Sequence, residues 1–478
     1  MSSTTTPTNP APVPSSTLPV LVVGAGPIGL AAAAHAQSRG LPTVVLEAGE
    51  SAGASVREWG HVRLFSAWSE LVDPAAEKLL ASTGWSTPDP QTYPTGRDWA
   101  EQYLAPLADA LAATDEVEVR FGHRVVGVAK RGRDRMVDAD REQTPFTVHV
   151  HTSRGRVRMD AAAIIDSSGT WGDPSPLGGD GLPALGEDAH ADRIFYGIPD
   201  LADPATATRY AGKHVAVAGT GASAQNTLVG LTALAKDHPE TRISWLVRRA
   251  GTGDAFGGGD NDQLEARGAL GKRAQAAVES GPVQIVTSFR TGEVTVDPNH
   301  EGALVLTGID GAVLDAVDEV VVVTGFRPDL SFLNEVRLDL DPVLSAPTQL
   351  APHIDPNVHS CGTVYPHGAG ELAQPEPGLY LAGMKSYGRA PSFLALTGFE
   401  QTRSVVAAIA GDHEAAARVE LVLPDSGVCG GSGLFDGQPT QDADSSCCGP
   451  AEPQLVALGT ASAPDQPATG GCGPTNCG

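Results

Sequence analysis

The chain has 478 residues, 32 of them basic and 57 acidic, for a net charge of −25. That length suffices for two or three domains with sizeable cores. The charge argues against a general nucleic-acid or anionic-membrane partner.

Residues 1–17 are Ser, Thr and Pro with no basic start and no apolar stretch, so they read as a disordered leader and not as an export signal. No apolar run approaches the length of a bilayer span. The expected location is therefore the cytoplasm, with reduced thiols. Only Cys361 of the six cysteines lies in the body of the chain; Cys429, Cys447, Cys448, Cys472 and Cys477 fall in its last fifty residues.

Pro19 to Val23 is a short apolar run with β-branched residues, the mark of a buried parallel strand. Gly24-x-Gly26-Pro27-x-Gly29 forms a tight turn out of it, and Leu30 to Arg39 is alanine-rich and helical. In such a unit Gly24 permits the turn, Gly26 lets a pyrophosphate approach, and Gly29 lets helix pack on strand. The phosphates would sit at the helix N-terminus, where N–H groups and the dipole favour anions. Thr43 to Leu46 reads as the next strand and ends at Glu47, placed to bind a ribose hydroxyl.

Ala48 to Ser66 reads as a loop-rich insertion, Pro74 to Ala81 as a helix, and Arg97 to Ala113 as a longer helix. Val117–Phe121, Arg124–Val128, Phe146–His151 and Val157–Met159 alternate as an antiparallel meander would, with a charged hairpin tip at 130–142. A buried strand from Ala161 to Ile165 then leads into Asp166-Ser167-Ser168-Gly169-Thr170, and 172–190 is a linker.

A second unit begins at Lys213. Its strand runs to Ala218 and is followed by Gly219-Thr220-Gly221-Ala222-Ser223-Ala224 and an apolar helix. Ala224 stands where the third glycine would be, which still permits close packing. The next strand, Arg242 to Val247, ends in Arg248-Arg249. A basic pair there suits the 2′-phosphate of NADP; the plainer alternative is a solvated strand end. Val283–Thr287, Gly292–Val296 and Ala303–Thr307 read as a second meander, and Asp318–Val323 as a strand into Thr324-Gly325. Gly378 to Gly383 is a closing strand with a glycine turn, followed by a helix from Phe393 to Ile409. Residues 425–478 are rich in Gly, Pro, Ser, Asp and Cys and read as a mobile tail.

The expected fold class is thus α/β, with two Rossmann-like dinucleotide-binding units, each bearing a meander. The expected division is 1–17 leader, 18–171 first unit, 190–330 second unit, 331–411 return to the first unit, and 425–478 tail.

Two such units and a closing Leu-Ala-Gly strand resemble the two-dinucleotide-domain flavoproteins, over about residues 18 to 411. The Gly-Thr-Gly-Ala-Ser-Ala fingerprint is similar to the flavin-containing monooxygenase branch. The resemblance implies FAD on the first unit, through Gly24, Gly26, Pro27, Gly29, Glu47 and Gly383, and NADPH on the second, through Gly219, Gly221, Ser223, Arg248 and Arg249. It also makes Arg57 and Trp59 candidates for walling the flavin, against an ordinary loop arginine and a core tryptophan. There are departures. No histidine follows Phe195-Tyr196-Gly197 at the branch's usual place, and no Cys-x-x-Cys follows Glu47, which argues against a dithiol reductase. His61-Val62-Arg63-Leu64-Phe65-Ser66, Phe256-Gly257-Gly258-Gly259, His359-Ser360-Cys361-Gly362-Thr363 and Lys385 to Pro391 look like bacterial flavoproteins associated with arsenic-resistance operons.

The reaction implied is NADPH reduction of FAD, then oxygen transfer from a C4a-hydroperoxyflavin, with O2 as co-substrate, to a small soft nucleophile: sulfur, nitrogen or trivalent arsenic. Two alternatives stand beside it. His359 beside Cys361 can lower the thiol pKa and make a thiolate that reacts with flavin or a metalloid, as in an NADPH-dependent thiol, disulfide or metalloid reductase; otherwise Cys361 is a small buried apolar residue. The tail pairs Cys447-Cys448 and Cys472-x-x-x-x-Cys477 suit a thiophilic metalloid or soft metal, for sequestration or sensing, or their thiols bind metals only incidentally.

Overall fold

A computed structural model describes residues 18–262, 264–300, 302–356, 366–391 and 393–421. Two five-stranded parallel sheets dominate it. The first has the order Leu379–Leu381 (β16), Ala163–Asp166 (β7), Val20–Val23 (β1), Thr43–Leu46 (β2), Val117–Arg120 (β3). The second has the order Ile194–Tyr196 (β8), Glu319–Val322 (β15), His214–Ala218 (β9), Arg242–Leu246 (β10), Val283–Val286 (β11). The two orders are the same pattern. They differ in the outermost strand, which the second unit takes from before its glycine turn and the first takes from the far end of the chain.

Strand alternation divides each sheet into two faces. In the first, Val20, Val22, Val45, Ala163 and Ile165 pack against helices, chiefly Pro27–Ser38 and Ala395–Ile409. Leu21, Val23, Val44, Leu46 and Ile164 pack against the antiparallel strands Arg124–Lys130 (β4), Phe146–Thr152 (β5) and Gly155–Ala161 (β6). The second sheet repeats this. Val215, Val217, Val321 and Val323 meet the Ala222–Asp237 helix, and Ala216, Ala218, Val320 and Val322 meet Thr291–Val296 (β12), Leu304–Gly308 (β13) and Val313–Val317 (β14). Each unit is therefore helix, parallel sheet and meander, in three layers. No described helix is long and apolar enough to cross a membrane.

Several expected elements change. Val117–Arg120 pairs parallel with β2, and Val283–Val286 parallel with β10, so neither belongs to a meander. The second meander takes β14 as its third strand, and β8 also escapes the sequence reading. The expected Arg97–Ala113 helix is present as one continuous helical run, Gly96–Trp99 and Ala105–Ala112 joined by a wide π-turn at Ala100–Leu104. Pro106 has no N–H for Gln102 O, which instead accepts from Trp85 Nε1 at 2.7 Å. The expected loop after Glu47 contains a short helix, Ala54–Glu58. The expected hairpin tip does join β4 to β5, and two of its charged residues, Lys130 and Arg141, are buried.

Candidate functional site

At the carboxyl end of the first sheet the chain turns sharply through Gly24, whose φ of 99° is left-handed. A Cβ there would stand 3.0 Å from Ser167 O, so the turn also needs the missing side chain. Gly26 is the N-cap of the Pro27–Ser38 helix, with Pro27 in its first turn, and nothing lies within 4 Å of where a Gly26 Cβ would be. A Cβ on Gly29 would fall 1.9 Å from Gly24 O, which packs helix directly on turn. The turn therefore opens a bare backbone surface and helix N–H groups to a ligand. Glu47 closes one side. Its two carboxylate oxygens accept from Ala25 N and Gly49 N, each at 2.7 Å, and each keeps lone-pair capacity for a hydroxyl. Gly383 closes the other, with φ 70° and its Cβ position 3.0 Å from Ile28. Its N–H donates to Gln401 Oε1 at 2.7 Å, and its carbonyl accepts from Ser386 Oγ at 2.7 Å. Gln401 Nε2 in turn reaches Ser386 Oγ at 2.9 Å and His367 Nε2 at 2.7 Å. The Tyr387 ring is tilted against His367 at 5.6 Å and edge-on to Phe393 at 5.0 Å, and burial pushes its phenol well above the usual tyrosine range, so it stays protonated.

Arg57 Nε donates to Ala52 O at 3.3 Å and Nη2 to Ala100 O at 3.5 Å, and Nη1 lies 3.7 Å from the Glu101 carboxylate. The half-buried Trp59 ring lies where a Gly96 Cβ would be 2.7 Å away. Both side chains are thus held against the Gly96–Leu104 segment.

In the second unit Gly219 has φ 131° and would place a Cβ 2.4 Å from Val323 O. Gly221 is the N-cap of the Ala222–Asp237 helix and has nothing within 4 Å. Ser223 lies in the first turn, its carbonyl accepting from Thr227 Oγ1. Ala224 is fully buried. Trp245 Nε1 donates to Gly219 O at 2.7 Å and fixes β10 against the turn. Arg248 is exposed and Arg249 half-buried just past β10, and among the described residues neither guanidinium has an ion-pair partner.

His359 and Cys361 lie outside the described residues, as do Cys447, Cys448, Cys472 and Cys477. Among the described residues there is no cysteine, and no group of three or more His, Asp or Glu is placed to hold a metal ion.

This geometry meets known proteins at residues 21–357, which match the family model for pyridine nucleotide-disulphide oxidoreductases. The chain belongs to that family. It is an NAD(P)H-dependent flavoprotein oxidoreductase, and the two glycine turns fit FAD and the pyridine nucleotide: each is open where a pyrophosphate would lie. A ferredoxin–NADP reductase of Paraburkholderia xenovorans is 26% identical over 343 residues, which is 71% of this chain and 78% of that protein. Among solved structures, the bacillithiol disulfide reductase Bdr of Bacillus cereus superposes with a TM-score of 0.58 at 20% identity, covering 82% of this chain and 99% of its own. The cadaverine monooxygenase DfoA of Erwinia amylovora, bound to FAD, gives 0.57 at 12% identity, covering 89% and 100%. These two likenesses establish the shared fold.

Asp166, Ser168, Lys385, Ser386 and Gln401 carry no local sequence pattern that marks a site, beyond Asp166 being a charge that ends an otherwise apolar strand. The same holds for His61, whose Nε2 is shielded from solvent with no partner among the described residues.

Proposed function

We propose that FAD lies on the Gly24–Gly29 turn and NADPH on the Gly219–Gly221 turn, and that the enzyme is a monooxygenase acting on a small soft nucleophile such as a thiol, an amine or a trivalent arsenical. Bound FAD supplies acceptance of a hydride from NADPH and activation of O2. The chain supplies the rest. The N–H groups beyond Gly26 hold the pyrophosphate, Glu47 accepts from the adenosine ribose, and Gly383 lets the closing segment approach the cofactor. Arg248 and Arg249 take the 2′-phosphate, since two guanidiniums just past the second nucleotide strand suit a dianion.

The observation that carries the monooxygenase reading is the second glycine turn, Gly219-Thr220-Gly221-Ala222-Ser223-Ala224, whose sequence is similar to the flavin-containing monooxygenase branch and whose Gly221 is an open N-cap. The experiment is anaerobic reduction by NADPH, followed by oxygen. Oxygen uptake coupled to product, without equivalent peroxide, across thiols, amines and arsenicals supports the reading; full release as peroxide with every candidate sinks it.

A second reading, an NADPH-dependent reductase working through Cys361 and His359 or on an external acceptor, draws on the ferredoxin–NADP reductase likeness along 71% of the chain. A long-wavelength thiolate–flavin band that vanishes in Cys361→Ser would favour it.

A further inference from the structure

Lys385 and Asp166 form the most deeply buried ion pair at this end of the first sheet. Lys385 Nζ lies 3.1 Å from Asp166 Oδ2, with the two side chains 1% and 0% exposed. Ser168 closes a ring between them. Its Oγ accepts from Lys385 Nζ at 2.8 Å and donates to Asp166 Oδ1 at 2.7 Å, and its N–H donates to the same oxygen at 3.1 Å. Lys385 Nζ also sits 4.7 Å over the Phe332 ring.

The second unit provides an internal control. Asp166 pairs with Val23 beside the first glycine turn, and Val322 pairs with Ala218 beside the second. Leu381 faces Asp166 across the outer edge as Tyr196 faces Val322, with Ala382 N to Asp166 O at 2.8 Å and Gly197 N to Val322 O at 3.0 Å. Asp166 and Val322 are therefore equivalent positions. The same layered architecture is built with a buried valine at one and a buried ion pair at the other. The fold does not require the charges, and a buried pair is poor value for stability, because apolar replacements of similar volume are often neutral or better.

The pair does join two segments far apart in sequence. Asp166 and Ser168 begin the turn that leaves the first sheet, and Lys385 belongs to the closing segment Gly383–Tyr387. The other side of that segment is held by Gln401 and Ser386. Neither charged side chain is exposed on the open face of the cradle, so the pair acts through what it holds.

We propose that Lys385 and Asp166 are positioning residues for FAD: a charged latch that sets the 166–170 turn and the Gly383 segment at the spacing the cofactor needs. The proposal rests on the reading that FAD lies on the Gly24 turn.

The decisive variant gives Asp166 the residue of the second unit and removes its partner's charge: Asp166→Val with Lys385→Leu, compared with Ser168→Ala and the unaltered full-length chain. Apoproteins are titrated with FAD, and unfolding midpoint, 2′,5′-ADP affinity and the visible flavin spectrum are recorded. The double variant is expected to unfold no earlier than the unaltered apoprotein and to bind 2′,5′-ADP equally well. Its FAD affinity is expected to fall about tenfold or more, with a shifted flavin band. Ser168→Ala, which removes only the bridging hydroxyl, should weaken FAD about threefold or more and decides the matter if the double variant does not fold. FAD binding and spectra indistinguishable from the unaltered chain would overturn the latch. An unaltered chain that takes up no FAD would sink the cofactor assignment first, and the latch with it.

Discussion

Gly26 and Gly29 stand three residues apart in one turn, yet their hydrogens do opposite work. A methyl group at Gly26 would meet no protein atom within 4 Å, whereas one at Gly29 would land 1.9 Å from Gly24 O. Gly26→Ala should therefore leave the apoprotein's unfolding midpoint nearly unchanged while weakening FAD about tenfold to a hundredfold, through displaced N–H contacts to phosphate. Gly29→Ala should cost about 1–3 kcal/mol of stability by overpacking. Paired thermal melts and FAD titrations check both, and equal behaviour of the two would contradict the geometry. The arginines beyond β10 call for a different measurement. Replacing Arg248 and Arg249 together by Gln should raise KM for NADPH about tenfold or more, at ~1.5–3 kcal/mol per well-placed charged hydrogen bond, and leave KM for NADH nearly unchanged. An equal change with both nucleotides would make them a solvated strand end. The two glycine turns were legible in the sequence because each is a local pattern. Asp166, Lys385 and Gln401 were not, since each acts through a partner in a distant segment.

At the level of elements, one misreading occurred twice. The pattern of Val117–Arg120 and of Val283–Val286 predicts the first strand of a meander, and each instead extends a parallel sheet. Both are short and β-rich, and alternation alone does not tell a sheet-edge strand from a hairpin strand. Only the pairing with β2 or β10 settles it, and pairing is not written locally. The hairpin tip expected at 130–142 is present and joins β4 to β5, but its composition does not show that two of its charges are buried. Arg141 donates to Glu376 at 2.6 and 2.8 Å, a partner 235 residues away, and Lys130 is buried as well. Lys130 Nζ donates to Thr144 O at 3.0 Å and lies 3.7 Å over the Phe146 ring. Burial, aided by the Arg141 cation and opposed by Glu376, pulls its pKa from the usual 10.5 down to about 8. Between pH 8 and 10.5 the unfolded chain holds a proton that the native chain has released, so stability rises with pH across that window. This contribution is absent below pH 8 and complete above 10.5, with a slope of at most about 1.4 kcal/mol per pH unit. Urea midpoints of the apoprotein should rise from pH 8 to about 9, a unit below the usual tyrosine pKa of 10, and Lys130→Met should flatten that rise. A Lys130→Met profile parallel to the unaltered one would place the titration elsewhere.

Across the whole molecule, the two units are alike in layering but unlike in continuity, and that difference makes a testable asymmetry. The buried clusters on both faces of the second sheet draw their members from Leu177 to Val323 alone. Those of the first sheet need residues from Val20 to Ile165 and again from Leu333 to Val406. The second unit is thus an insertion with complete cores, while the first is assembled from two ends of the chain. A fragment of residues 172–328 should fold alone and bind NADP⁺ more tightly than NAD⁺. A fragment of 18–171 should not retain FAD, because it lacks β16, leaves β7 as an unpaired edge, and has neither Gly383 nor Gln401. Joining Trp171 directly to Asp329, and so deleting the insertion, should restore FAD binding but give no flavin reduction by NADPH. Circular dichroism, nucleotide titration and flavin absorbance read the three outcomes. FAD retained by 18–171 alone would mean that the closing strand and its helix are not part of the cofactor site. An insertion-deleted chain that still oxidised NADPH would move the pyridine nucleotide off the Gly219 turn.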